Sequence, residues 1–407
     1  MRPAFRGAAL AALLILAGMS MARAEDYPVG TRDSIWSDPG TYMIGSFRHM
    51  GEIYPSRPVH RAGPVAELPQ GRPLALSSYD FTEDTPLPLE DYFRRARTTG
   101  FIVLKRGRIV FERYLLGADA SSRFTSWSMA KSFVSTLVGF ALADGRIRSL
   151  DDPVSDYLPK LKGSAYEGVP IKAVLQMSSG VDFPEDYVST LSDSLRMWDD
   201  AIQYNKRPLT DFARAAKRAH PPFTRFNYAG VETVVLGWLV SRATGMSLAD
   251  YLSTKIWGPL GMESDADWMT DGRGPQANEA AFCCLGATLR DYARFGLFMS
   301  RGGQWQGRQL LPRAFVEEAT HPDRPQVQSG KLDPDYVLGY QYQWWVLPAS
   351  MRELSGFEAQ GIYGQFLYVN PAEEVVIVMT SVWPKPWDDG LEPETYAVFD
   401  AFIKALR

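Results

Sequence analysis

Apolar residues between positions 101 and 116 fall in two short runs, Phe101-Ile102-Val103-Leu104 and Ile109-Val110-Phe111, separated by Arg106-Gly107. That pattern predicts two strands joined by a tight turn. A similar pattern recurs near the C-terminus, where Gln365-Phe366-Leu367-Tyr368-Val369, the turn Asn370-Pro371 and the apolar run 375–382 predict a second hairpin. The period changes between the hairpins. Phe133, Leu137, Phe140 and Ala141 recur at helical spacing, so residues 128–143 predict a buried helix, with Thr125 and Ser126 as caps and Asp144-Gly145 as its stop. Pro170 opens a further helix over 171–177 that Ser178-Ser179-Gly180 closes. Residues 231–242 predict an apolar helix ending near Gly245, preceded by Pro221-Pro222 and an aromatic loop, so that Tyr228 lies at or just before its N-terminus. A closing helix is expected over 394–406.

Residues 25–85 show little periodicity and are rich in Pro, Gly, Ser and aromatics, which reads as an N-terminal extension laid over a main domain of residues 86–407. Residues 150–270 are expected to be mainly helical. Strands, a long helical middle, strands again and a terminal helix predict an α+β fold, an antiparallel sheet flanked by helices with an inserted helical lobe.

Before all of this lies a different segment. Arg2 and Arg6 precede an apolar run over 7–18, and Ala22-Arg23-Ala24 places small residues where a signal peptidase cuts. The run is shorter than the roughly 20 residues of a spanning helix, so residues 1–24 are expected to be a cleaved signal, leaving a periplasmic or secreted protein with no membrane span. No Cys stands at the cut for lipidation. Losing that segment removes three arginines and no acid, so the formal charge of −4 becomes −7. A mildly acidic chain without a Lys/Arg cluster is not expected to bind nucleic acid. The two cysteines, Cys283 and Cys284, are adjacent and cannot tie distant segments together; the plainer expectation is two small buried residues in a turn, with a vicinal disulfide as the alternative. Neither they nor His49, His60, His220 and His321 have the spacing of a metal site, so no metal or other cofactor is expected.

Ser128-Met129-Ala130-Lys131 is the sole Ser-x-x-Lys in the chain. On a helix this spacing puts hydroxyl and ammonium on one face, a turn apart. A serine hydroxyl is a weak nucleophile, whereas a lysine buried without a carboxylate partner has its pKa lowered and can take the proton. The helix N-terminus adds N–H groups and positive potential where an oxyanion would form. Tyr228, beside such a lysine, is expected to have its phenolate favoured and to shuttle a proton.

In its setting, Trp127-Ser128-Met129-Ala130-Lys131-Ser132 resembles the first motif of the serine β-lactamase and penicillin-binding-protein superfamily. Leu175-Gln176-Met177-Ser178-Ser179-Gly180 is similar to a segment of its class C and esterase branches, Tyr228-Ala229-Gly230 to the second motif, and Gly361-Ile362-Tyr363-Gly364-Gln365 to the third. The likeness spans roughly residues 90–405 and is strongest to 6-aminohexanoate-dimer hydrolases and related esterases. It implies a β-lactamase/transpeptidase-like fold, Tyr228 relaying protons with Lys131, an oxyanion hole from the backbone N–H groups of Ser128 and Ile362, and Gly361 and Tyr363 against the substrate, a small ester or amide. Three positions depart from the wider pattern. Ala359 stands where β-lactamases and peptidases carry Lys or His, with Gln360 in the Thr place, and Gly230 replaces the Asn of the second motif. These changes weigh against the rival reading as a β-lactamase or D-Ala-D-Ala peptidase. A Ser-His-Asp hydrolase would need a Gly-x-Ser-x-Gly elbow, which is absent, and a non-catalytic sensing module would be expected to have lost Ser128, Lys131 or Tyr228.

Overall fold

The computed structural model describes residues 27–407 apart from 82–84, 190 and 333–335; the expected signal at 1–24 lies outside the described residues. Its centre is a seven-stranded antiparallel sheet in the order Gly339–Gln341, Trp344–Leu347, Gly356–Gly361, Gln365–Asn370, Val375–Ser381, Thr98–Lys105 and Arg108–Tyr114. Both expected hairpins are there, and the last strand of the C-terminal one pairs with the first strand of the N-terminal one, Val378 opposite Ile102. The pleat sorts the side chains. Phe101 and Val103 face a core shared with Phe366, Phe399 and Phe402, under the C-terminal helix Leu391–Ala405. Ile102 and Leu104 face the opposite side with Leu367, Val376 and Phe133. There the helix Leu289–Ser300 crosses the sheet, and Ala130–Ala143, almost wholly buried, runs behind it. A sheet buried on both faces explains why its central strands read as continuous apolar runs.

The lobe between the hairpins is made of short helices and loops around the helix Gly230–Thr244, which ends in a left-handed Gly245. The helix expected over 171–177 stops at Leu175, because Met177 turns into the left-handed region at φ 51°. That turn has a use. Met177 O accepts from Asn227 N at 2.8 Å and its Sδ lies 3.4 Å from Ala229 N, which fixes the backbone on both sides of Tyr228.

The unpatterned N-terminal stretch contains three short helices, Ser34–Ser37, Pro39–Ser46 and Met50–Ile53, each too brief to show a period. Its strand Ser56–Val59 joins a second sheet beside Ala266–Met269, Leu285–Thr288 and Arg123–Thr125. Ile35, Phe47 and Tyr54 are buried in the main core. Among the described residues, no helix is long and apolar enough to cross a membrane.

Two local expectations are corrected. Thr125 ends a strand, and the Ser126 hydroxyl caps no helix: it donates to Trp127 O at 2.9 Å and accepts from Leu285 N at 3.0 Å, tying the start of the Ser128 segment to the second sheet. The two cysteines are buried, as expected, but are joined to each other in a vicinal disulfide.

Candidate active site

Ser128 sits in a single 3-10 turn, Trp127–Met129, that leads into the helix Ala130–Ala143. Trp127 just before it has φ 43°, and Tyr363, directly after Ile362, has φ 62°. Non-glycine residues in that region cost roughly 1–3 kcal/mol each and persist where the surroundings force them. Here aromatic packing does the forcing, since Trp127, Tyr363 and Phe47 lie with ring centroids 5.3–5.6 Å apart. The result brings the strand end at Gly361-Ile362 against the start of the helix. A Cβ on Gly361 would come within 2.5 Å of Ser126 O and 3.1 Å of Ser128 N, so the approach requires glycine.

The 3-10 turn still gives the spacing expected of a helix. Lys131 Nζ donates to Ser128 Oγ at 2.8 Å and to Phe282 O at 2.9 Å, and it has no carboxylate partner among the described residues. Burial lowers its pKa to about 8, partly opposed by the negative charge of Glu185. Its ammonium lies 4.8 Å from the centroid of the Tyr228 ring, over the face. Phe282 precedes the disulfide, and Trp268 Nε1 donates to Cys283 O at 2.9 Å, so the carbonyl that holds Lys131 belongs to a pinned loop.

Tyr228 lies beside Ser128 and Lys131, but the expected phenolate is not favoured. Burial and the field of Glu185 both raise its pKa, because the lysine charge meets the ring face and the hydroxyl is out of water. At neutral pH it is a phenol, able to donate and pass on a proton but not to start as the base.

Sequence reasoning missed two neighbours. Tyr187 also lines both cavities beside Ser128, and burial, with Glu185 close by, pushes its pKa up as well. Its hydroxyl donates to Glu185, whose other oxygen accepts from Gly230 N. Both residues come from an irregular loop after Val181–Asp182 with no periodic signal; its Tyr next to acidic residues was the available hint.

Two cavities meet at Ser128 and Ile362. The larger, about 630 Å³, is walled by Trp36, Trp127, Trp198, Tyr204 and Tyr363, with Asp33 and Asp199 among its polar groups. Asp33 and Trp36 belong to the N-terminal stretch, which is therefore part of the site. The smaller, about 230 Å³, is bordered by Tyr228, Tyr336, Trp345, Gln360, Gly361 and Trp387. Neither wall includes a Lys, Arg or His among the described residues. Ala359 faces the buried core, and Gln360 is the residue that reaches the cavity.

Residues 89–400 match the Beta-lactamase family model, which is more than three quarters of the chain. The chain belongs to the Beta-lactamase family. It is 31% identical over 350 residues to the 6-aminohexanoate-dimer hydrolase of Paenarthrobacter ureafaciens, covering 84% of this chain and 86% of that one. A solved structure of a Bacillus anthracis protein assigned as a 6-aminohexanoate-dimer hydrolase superposes with a TM-score of 0.80 at 26% identity, over 91% of this chain and 95% of that chain. A family VIII carboxylesterase shares the fold alone, with a TM-score of 0.59 at 16% identity over 77% of this chain and 94% of that one. This Beta-lactamase family member is thus a hydrolase of the β-lactamase and penicillin-binding-protein superfamily, similar to a 6-aminohexanoate-dimer hydrolase, with the α+β fold expected from its sequence.

Proposed function

We propose that this protein is an exported serine hydrolase that cleaves esters and linear amides through an acyl-enzyme on Ser128. The observation that carries the reading is a buried Lys131 amine 2.8 Å from Ser128 Oγ, where two cavities join. Neutral Lys131 takes the Ser128 proton as Oγ attacks the carbonyl carbon, and the N–H groups of Ser128 and Ile362 hold the resulting oxyanion. The proton passes from Lys131 by way of Tyr228 to the leaving oxygen or nitrogen, whose bond to carbon breaks. Water then attacks the acyl-enzyme by the same route in reverse, releasing the acid and restoring the Ser128 hydroxyl. Gly361 keeps the strand close and Tyr363 walls the acyl side. Aromatic walls with carboxylates and, among the described residues, no cation favour an acyl chain that is apolar or ends in an ammonium, in line with the name of the Paenarthrobacter relative.

A β-lactam presents a carboxylate beside the scissile bond, and leaving that charge unpaired costs two to three orders of magnitude in kcat/KM, roughly 3–4 kcal/mol. Purified protein should therefore hydrolyse p-nitrophenyl butyrate readily and nitrocefin at least about a hundredfold less efficiently. Faster turnover of nitrocefin would replace this reading with that of a β-lactamase. Export is part of the proposal, motivated by the basic, apolar and small-residue order of residues 1–24. N-terminal sequencing of material from outside the cytoplasm should begin at or near Glu25, and an intact Met1 there would refute cleavage.

A further inference from the structure

The smaller cavity has a polarity of its own. Tyr228, the proton relay, borders it and does not border the larger one, so a leaving group that receives its proton from Tyr228 departs on this side. Its walls are Tyr336, Trp345 and Trp387, and at about 230 Å³ it has room for one aromatic ring. Trp345 lies 5.4 Å from Tyr228 with rings 20° from parallel, and Tyr336 packs 5.2 Å from Trp345 at 59°, which gives the slot a continuous aromatic wall.

Away from Ser128, Glu185 and the tyrosine hydroxyls, the polar group in that slot is Gln360, and only one end of its amide is free. Its Nε2 donates to Glu358 Oε1 at 2.7 Å and to Tyr396 Oη at 2.9 Å, and Tyr396 in turn gives its own proton to Glu358. The amide nitrogen thus faces Glu358 and Tyr396, and the carbonyl end lies toward the slot. There Gln360 Oε1 meets the Tyr336 hydroxyl at 3.3 Å, which also reaches Glu392 at 3.4 Å. Among the described residues the slot therefore offers the oxygens of Gln360 and Glu185 and the hydroxyls of Tyr187, Tyr228 and Tyr336, and no Lys, Arg or His. A donor on the leaving group can bond to Gln360, whereas a carboxylate meets the Gln360 carbonyl and the Glu185 carboxyl with no Lys, Arg or His beside them among the described residues.

We propose that the cavity between Tyr228, Tyr336, Trp345, Gln360 and Trp387 is the leaving-group subsite and takes flat, uncharged leaving groups, aryl alcohols or aryl amines with or without a hydrogen-bond donor, in preference to carboxylate-bearing ones. This rests on the acyl-enzyme reading and names the substrate half that leaves first. It also separates this chain from what the Paenarthrobacter relative's name implies, since a 6-aminohexanoate leaving group ends in a carboxylate.

Two esters test it: the butyrates of 4-hydroxybenzamide and 4-hydroxybenzoate, alike in shape and differing in charge. Both give the same butyryl-enzyme, so deacylation is common to them and kcat/KM compares acylation alone. The carboxamide should be favoured about a hundredfold in kcat/KM. A ratio within threefold overturns the subsite while leaving the hydrolase reading in place; no turnover of either ester, with p-nitrophenyl butyrate also inert, overturns both. Position is tested by Gln360→Lys, which sets a cation beside Glu358 and should shrink the ratio at least tenfold. A folded Gln360→Lys protein with an unchanged ratio would put the discrimination elsewhere and overturn the assignment of this cavity.

Discussion

Ser128→Ala should lower kcat for p-nitrophenyl butyrate by about 10⁴-fold or more, and Tyr228→Phe and Lys131→Met by about 10²–10⁴-fold each. The three act on one proton, so adding Tyr228→Phe or Lys131→Met to Ser128→Ala should cost little further. Folding should survive in Ser128→Ala, since the hydroxyl is partly exposed and its neighbours remain joined to Phe282 and Glu185. Near-native turnover by Ser128→Ala would remove the nucleophile from the scheme. The same unit sets a pH profile. Lysine acts as the base when neutral, and burial brings the Lys131 pKa down to about 8, so kcat/KM should rise with pH through a midpoint near 8 and level off above it. Tyr228 does not titrate in that range, its pKa being pushed up by burial and by Glu185. A midpoint near that of an exposed lysine, about 10.4, would mean that Lys131 is solvated during catalysis.

How far these residues were legible in the sequence follows from how local their causes are. The Ser128–Lys131 pair is set by spacing along a single turn, and the hairpins by alternation within a few residues, so both could be read directly. Ile362 and Gly361 came from resemblance, and the close approach that requires glycine is visible only once Ser126 stands opposite. The direction of the Tyr228 shift was misread because it depends on burial and on Glu185, 43 positions away, while the nearby lysine addresses the ring rather than the hydroxyl. Tyr187 and Glu185 lie on a loop, and Asp33 and Trp36 at the start of and within a helix of four residues, where no period can form. The vicinal disulfide was the less favoured option because adjacent cysteines usually act as two small residues, and Cys284 must enter the left-handed region at φ 69°.

Gly361→Ala should reduce kcat/KM for p-nitrophenyl butyrate by about 10²–10³-fold, the usual size of losing one oxyanion donor. The added Cβ would lie 2.5 Å from Ser126 O and 3.0 Å from Trp127 Cβ, contacts that no rotamer relieves, because the opposing atoms are backbone or Cβ. One side must yield. Ser126 is fixed to the second sheet through Leu285, with Ser126 N donating to Leu285 O at 2.8 Å and Ser126 Oγ accepting from Leu285 N at 3.0 Å. The strand end is the freer side, and Gly361 pairs with Gln365 at its last register position. The strand should therefore withdraw by several tenths of an ångström, carrying the Ile362 N–H away from the point it shares with the Ser128 N–H. Overpacking of this kind costs about 1–3 kcal/mol, a loss the fold can absorb and a thermal melt would register. Loss of the oxyanion donor would show as a fall in kcat larger than any rise in KM, together with slower labelling of Ser128 by a fluorophosphonate, whose phosphoryl oxygen occupies the same hole. A folded Gly361→Ala protein within threefold of wild type in both turnover and labelling would show that Ile362 does not hold the oxyanion.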